Sequence, residues 1–408
     1  MTKIDGARLW QSLMDMARIG ATPEGGSCRE ALTDADHAGR ELFADWCRAE
    51  GCTMTTDAVG NLFVHRPGGE PGFAPVVMGS HLDTQPTGGR FDGVYGVLSA
   101  LEVLRTLNHA GIATRHPIEI AVWMNEEGAR FSPPMMGSGV FTGQFTERAV
   151  LDAIAQDGAR LENELIRLGW HGKAPATLAS HPVAAYFEAH IEQGPLLETR
   201  GHDIGVVTGA QGQRWFEVTV TGREAHAGPT PMELRRDALV AAARLVLEVQ
   251  RIGLAYGGSA MVGVLDVMPH SRNVIPGRVF LTVDLRHASE DVLAEMEQDL
   301  RTTVARLAAA GIAVDLSDFW RFPVTPFDPE LVGRVRTAAR THSSTFSDIV
   351  SGAGHDAVYM ARVVPTAMIF IPCEGGISHN PAENIRPEHA ETGCAVLFDA
   401  VLATAVRI

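Results

Sequence analysis

Short apolar runs and longer stretches of helical periodicity alternate along the chain, and several of the runs end in histidines or carboxylates. The run Ala74–Ser80 has the character of a buried strand and delivers His81 at its end. Past Asp92, the apolar residues Val94, Val97, Leu98, Leu101, Leu104 and Leu107 recur at three- and four-residue steps up to Gly111, which predicts a helix with one buried face. Ile118, Ile120, Val122 and Met124 alternate with Glu119, Ala121 and Trp123; this period of two predicts a strand, with Glu126 and Glu127 just past its end. The segments Ala184–His190 and Thr366–Ile371 read the same way. Open α/β sheets bind ligands outside the carboxyl ends of their strands, so four strands ending in polar residues point to one crevice.

Between about Thr208 and Pro326 the pattern changes. Trp215–Val220, Ala260–Leu265 and Val279–Leu285 are strand-like, and two Ala-rich helical stretches separate them. The first helix is expected to begin at Thr230-Pro-Met-Glu233, a capping box with proline at the first helical position, and to run to about Ile252. The second is expected from Ser289 to Ala310, stopping at Gly311. With a weak last strand at Ala313–Leu316, the order strand-helix-strand-strand-helix-strand predicts a compact, ferredoxin-like α+β insert. Residues 209–326 would form this domain, and residues 1–208 with 327–408 a discontinuous α/β domain that resumes with a helix around Leu331–His342.

With 408 residues, 45% of them hydrophobic, the chain can bury a core in each domain. A formal net charge of −15 argues against a nucleic-acid groove or an anionic membrane surface and favours a small-molecule partner. No apolar run is long enough to span a bilayer, and Met-Thr-Lys-Ile-Asp-Gly lacks the layout of a signal peptide, so a cytoplasmic location is expected. Cys28, Cys47, Cys52, Cys373 and Cys394 form no CxxC pair, the pattern of reduced thiols with no part in catalysis.

Chemistry enters with Gly79-Ser80-His81-Leu82-Asp83-Thr84 and Gly88-Gly89-Arg90-Phe91-Asp92-Gly93, which set a histidine and two carboxylates around a strand-to-helix turn. Divalent metals are gathered this way. Glu126-Glu127, His190 in Glu188–Pro195 and His379 in Ile377–Pro381 extend the donor set, and a metallohydrolase is the leading reading. An amide or ureido carbonyl is a poor electrophile and water a poor nucleophile at neutral pH, and two ions about 3.5–4 Å apart can activate both. Glu126, beside Glu127 but able to point elsewhere, suits a general base that passes a proton from water to the leaving nitrogen. Asp83, two residues from His81 on an extended segment, is expected to face the same way and hold its imidazole. The donors suit Zn²⁺ or Mn²⁺, and Co²⁺ or Ni²⁺ as well.

These motifs resemble the hydantoinase/carbamoylase branch of the M20 zinc-aminopeptidase-like family, from Arg18–Gly25 to His379–Glu383, with Glu188-Ala-His-Ile-Glu-Gln-Gly-Pro195 the segment most specific to the branch. The resemblance implies a mixed-sheet catalytic domain with two divalent ions on His81, Asp92, Glu127, His190 and His379. Asp92 would bridge, with His81 and His190 on one ion and Glu127 and His379 on the other. A cis peptide after Asp92 is implied too. Gln193 would lie near the ureido group, and Asn273 and Arg286 on the substrate carboxylate, for which a planar guanidinium is apt. His226 would stabilise the tetrahedral oxyanion, reaching in from a partner subunit, so that the insert serves as lid and homodimer surface. Gly354 would bring backbone close to the substrate, while His355 carries no assigned role. The implied activity is cleavage of the carbamoyl C–N bond of N-carbamoyl-L-amino acids to amino acid, ammonia and carbon dioxide, with β-ureidopropionase and allantoate amidohydrolase as alternatives. A dipeptidase or aminopeptidase of the same family would keep both metals and take peptides instead. A non-enzymatic scaffold would have lost a ligand or the base, whereas His81, Asp92, Glu126, Glu127, His190 and His379 are all present.

Overall fold

The structure, a computed structural model, describes residues 2–309 and 312–406. The chain divides into two compact units, Met1–Thr208 with Pro326–Ile408, and Gly209–Thr325. Along the larger unit run β1 (Thr53–Thr56), β2 (Leu62–Arg66), β3 (Val76–His81), β4 (Ile118–Trp123), β5 (Ala185–Ile191) and β6 (Ile204–Ala210). The insert follows with β7 (Gly212–Thr221), β8 (Ala225–His226), β9 (Ser259–Met268), β10 (Val274–Ile275), β11 (Arg278–His287) and β12 (Ala313–Phe322). The larger unit resumes with β13 (Thr325–Pro326), β14 (Phe346–Ser351) and β15 (Thr366–Ile371).

Its sheet has the order β1-β2-β4-β3-β5-β15-β6-β13, with β14 paired to β6. The centre, β4-β3-β5-β15, is parallel, and antiparallel pairs flank it. All four central strands are buried at every residue, as parallel strands packed under helices must be. The alternation read at 118–124 therefore marks a strand but not a solvated face. Glu119 is covered, and His65 and His181 engage its carboxylate. The helix Val94–His109 also departs from the one-sided burial expected of it, because it is buried all round from Val94 to Leu107. Helices Gly6–Met16 and Pro387–Ala405 pack on it, and Arg8 and Ser12 satisfy its polar residues Glu102 and Arg105.

In the insert, an antiparallel sheet of order β12-β7-β11-β9 packs against helices Ala238–Tyr256 and Glu290–Ala309. Phe216, Val218 and Val220 of β7 and Val279, Leu281, Val283 and Leu285 of β11 form a core with Leu245, Val249, Leu293 and Met296 that is separate from the core of the larger unit. The last strand is longer than its sequence signal, ten residues from Ala313 to Phe322. The first helix begins at Ala238 and not at Thr230. Residues Met232–Leu234 make only a short 3₁₀ turn, and the Arg236 carbonyl accepts the Arg223 N–H, which holds the chain extended there. Asp237 is the cap, accepting from the Leu239 and Val240 amides. The expected end of the second helix, Ala310 and Gly311, lies outside the described residues. Among the described residues no helix is long and apolar enough to cross a membrane.

Candidate metal centre

The four central strands deliver their polar ends to one place. His81 closes β3, Asp92 sits in the turn before the helix Val94–His109, Glu126 and Glu127 follow β4, His190 lies on β5, and His379 lies in the loop after β15. Donor atoms of His81, Asp92 and His190 lie within 4.8 Å of one another, and so do those of Asp92, Glu127 and His379. Asp92 belongs to both groups. Its Oδ1 is 3.2 Å from His190 Nε2 and 3.7 Å from His81 Nε2, while Oδ2 is 3.2 Å from His379 Nε2. His379 in turn lies 3.3 Å from Glu127 Oε2. A carboxylate with one oxygen in each group has the form that a bridging ligand needs. Glu188, His190 and His355 make a third close group, but the Glu188 oxygens already accept from Ser80, Tyr186 and the Ala357 amide.

Backbone carbonyls aim the imidazoles. His81 Nδ1 is 2.9 Å from the Asp83 carbonyl, and His190 Nδ1 is 2.9 Å from the Ile191 carbonyl. A carbonyl only accepts, so Nδ1 carries a hydrogen in both rings and Nε2 is the nitrogen turned toward Asp92. Orientation of His81 thus comes from the Asp83 backbone and not from its carboxylate, which stays 3.9 Å from the ring. The chain turns once β3 ends, so the two-residue periodicity of a strand no longer applies. The Asp83 oxygens accept instead from the amides of Glu126 (3.3 Å) and Glu127 (3.1 Å). The cis bond expected after Asp92 is absent, the described cis bonds being Ser132–Pro133 and Met268–Pro269. Gly93 makes the turn with φ at +66° instead, and a Cβ there would lie 2.3 Å from the His81 ring.

Charge is unevenly held across the cluster. Burial pushes the His81 imidazole down to about 4, which leaves it neutral, as a metal ligand must be. Burial also opposes the charge on Asp92, yet hydrogen bonds with His190 and His379 hold its carboxyl well below the usual range. Against its own burial, His190 is raised by Asp92 to about 9, and the hydrogen bond to Asp92 raises His379 to about 9. Burial and then Asp92 push Glu127 up to about 8. Burial, Asp356 and Glu127 push Glu126 well above the carboxylate range. A largely buried cluster that draws positive charge this strongly, with its Nε2 atoms already aimed at one carboxylate, fits divalent cations by its donor chemistry.

Residues 77–403 match Peptidase family M20/M25/M40. The chain belongs to this family. It is 47% identical to an N-carbamoyl-L-amino-acid amidohydrolase of Rhizobium meliloti over 99% of this chain and 97% of the relative. It is 33% identical to an allantoate amidohydrolase of Bacillus subtilis over 94% of each chain. A crystal structure described as an amidase of the hydantoinase/carbamoylase family, from Burkholderia multivorans, is similar with a TM-score of 0.96 and 55% identity, covering 99% of this chain and 98% of that one. Membership of M20/M25/M40 makes the chain a hydrolase of amide-type C–N bonds.

The remaining sequence-predicted residues of this M20/M25/M40 chain fall in two places. In the larger unit, Gln193 Nε2 donates to Asp92 Oδ2 at 2.8 Å, and Gly354 directly precedes His355, whose ring meets that of His190 at 4.5 Å. In the insert, His226 on β8 and Asn273 share a two-stranded ribbon, where the Asn273 carbonyl accepts the Ala227 amide at 2.9 Å. Both side chains are exposed. Arg286 stands near the end of β11, 2.7 Å from Asp284. Three contributors carried no prediction. Gln85 donates to both oxygens of Glu127, at 2.7 and 3.2 Å, Ser378 Oγ is 2.8 Å from Asp92 Oδ2, and Glu383 supports the Asp92 turn. The one sequence signal for Glu383 is its place in Ser378-His-Asn-Pro-Ala-Glu383.

Proposed function

We propose that this chain is an N-carbamoyl-L-amino acid hydrolase, adding water across the carbamoyl C–N bond to give amino acid, ammonia and carbon dioxide. The observation that carries this reading is Asp92, shared between two histidine and carboxylate groups beside Glu126. The 47% identity to a relative named for that activity supports the substrate class. Two divalent cations, Zn²⁺ or Mn²⁺ and equally Co²⁺ or Ni²⁺, would be held by His81, Asp92 and His190 and by Asp92, Glu127 and His379. When bound they supply polarisation of the carbonyl and acidity to water.

The chain's own residues then move protons and hold the substrate. Glu126, 3.5 Å from His81 Nε2, takes the proton of the attacking water and delivers it to the leaving nitrogen. Its raised proton affinity suits the delivery. Gln193 spends its amide N–H on Asp92, and its buried Oε1 has no hydrogen-bond partner among the described residues. That oxygen is available to a ureido N–H. Arg286 and Asn273 hold the carboxylate, Gly354 lets backbone approach, Asp83 supports the two glutamates and His226 steadies the oxyanion, supplied by a second copy of the chain. Exposed Leu247 and Leu254 on the helix Ala238–Tyr256 and Val264 and Leu265 on the edge strand β9 support a homodimer through the insert. A small ureido or amide substrate, no nucleic acid and no membrane complete the reading, and the five free thiols favour a cytoplasmic setting.

Ammonia release from metal-reconstituted enzyme, with release of free amino acids measured for the dipeptides, tests the substrate. N-carbamoyl-L-amino acids are expected to turn over fastest in a panel with N-carbamoyl-β-alanine, allantoate and dipeptides, and a faster rate on any of these three overturns the assignment. Glu126→Gln is expected to keep fold and metal content while kcat falls by about 10²–10⁴-fold. Near-normal turnover in that variant would remove Glu126 from the reaction.

A further inference from the structure

Glu383 is buried in the loop after β15, yet its carboxylate serves residues far away in the sequence. Oε1 accepts the Phe91 N–H at 2.8 Å and the Asp92 N–H at 3.1 Å. Oε2 lies 3.0 Å from Ser378 Oγ, which is itself 2.8 Å from Asp92 Oδ2. The turn is shaped to receive this group, because a Cβ on Gly89 would fall 2.0 Å from the Glu383 carboxyl carbon. One side chain therefore joins the backbone that carries Asp92 to the hydroxyl next to His379. No other contact ties those two loops through two amides at once among the described residues.

We propose that Glu383 is a positioning residue that sets the placement of Asp92 relative to His379, and so governs the ion expected on Asp92, Glu127 and His379. The proposal rests on the two-ion reading above. Removing the carboxylate leaves two buried amides without an acceptor and frees the two loops to separate. Asp92 serves both groups, but the other ion keeps the His81 and His190 imidazoles on their own carbonyl partners and so loses less. Outer supports of this kind change metal affinity by about 10–100-fold.

Calorimetric titration of the chelator-stripped full chain with Mn²⁺, with metal content measured in parallel, separates the outcomes. Wild type is expected to take two ions. Glu383→Ala is expected to lose about 10–100-fold in affinity for one ion and little for the other, and the double variant with His379→Ala to lose no more than His379→Ala alone. Glu383→Asp keeps the charge but withdraws it from the amides and is expected to lose the same ion, whereas Glu383→Gln keeps an acceptor at the required length and is expected to retain it. This Asp and Gln contrast decides the matter should Glu383→Ala fail to fold, and indistinguishable affinities for wild type, Asp and Gln variants overturn the role of Glu383. A wild-type chain that takes fewer than two ions overturns the two-ion reading, and the role of Glu383 with it.

Discussion

Asp83 is buried with both oxygens turned to the Glu126 and Glu127 amides, so it fixes the turn that points one glutamate at the cluster and the other beside it. An asparagine in its place would present an NH₂ to one of those N–H groups. Asp83→Asn is therefore expected to lower kcat by about 10–100-fold with little change in the circular dichroism of the apo-protein, and an unchanged kcat would show that the turn holds without it. Arg286→Ala, by contrast, is expected to raise KM for carboxylate-bearing substrates with a smaller effect on kcat, since it removes binding shared by ground and transition states. The meeting of His81, Glu126, Glu127 and His190 was legible because each stands at or just past the end of a strand-like segment, whereas Asp92 and His379 lie in longer loops and the full candidate ligand set came only from the family resemblance. Asp83 was legible as a participant but not in its direction, which depends on where β3 stops. Glu383 was illegible in its role, because its partners Phe91 and Asp92 lie 292 and 291 residues away and no spacing records such a hydrogen bond.

The elements tell the same story with different causes. Every central strand was visible in the local pattern, β3 as an apolar run and β4 by its alternation, but the insertion of β15 between β5 and β6 was not, since strand order is decided by packing and not by local pattern. The start of the helix Ala238–Tyr256 was misread because Thr230-Pro-Met-Glu233 satisfies a local rule that the Arg223–Arg236 backbone bond overrides. The insert also contains an ion network that alternation alone did not reveal. Glu297, on the helix Glu290–Ala309, is met by Arg214 of β7, by Arg301 at 2.8 Å and by Arg321 of β12 at 2.7 Å. Burial raises the Glu297 carboxyl, but the hydrogen bonds from Arg321, Arg301 and Arg214 outweigh it and hold it down at about 2. The folded value lies below the unfolded one of about 4.3. Its stabilisation is thus complete above that pH and is lost as pH falls toward 2. After discounting for solvent screening, roughly 1–2 kcal/mol is at stake. Denaturant titrations of wild type and Glu297→Gln between pH 7 and 2 are expected to differ most at pH 7 and to converge in acid; curves that stay parallel would show that Glu297 is not the titrating group.

At the scale of the whole molecule, the two separate cores and the confinement of both candidate ion groups to the larger unit have a thermodynamic consequence. A domain with its own core unfolds as its own cooperative unit, and a ligand stabilises only the folded form that binds it. Each of the two ions, held at about a thousandfold above its dissociation constant, contributes about 4 kcal/mol. For a domain of this size each kcal/mol moves Tm by about 2 °C, so removal of both ions is expected to lower the transition of the larger unit by roughly 15 °C and to leave that of the insert in place. The converse perturbation acts on the insert. Leu245 is fully buried in the insert's core, and Leu245→Ala is expected to cost about 2–5 kcal/mol there. Differential scanning calorimetry of both proteins, with and without chelator, should therefore give two independently movable transitions. A single transition that shifts under either treatment would mean that the two cores melt as one body and that the metals stabilise the insert as well.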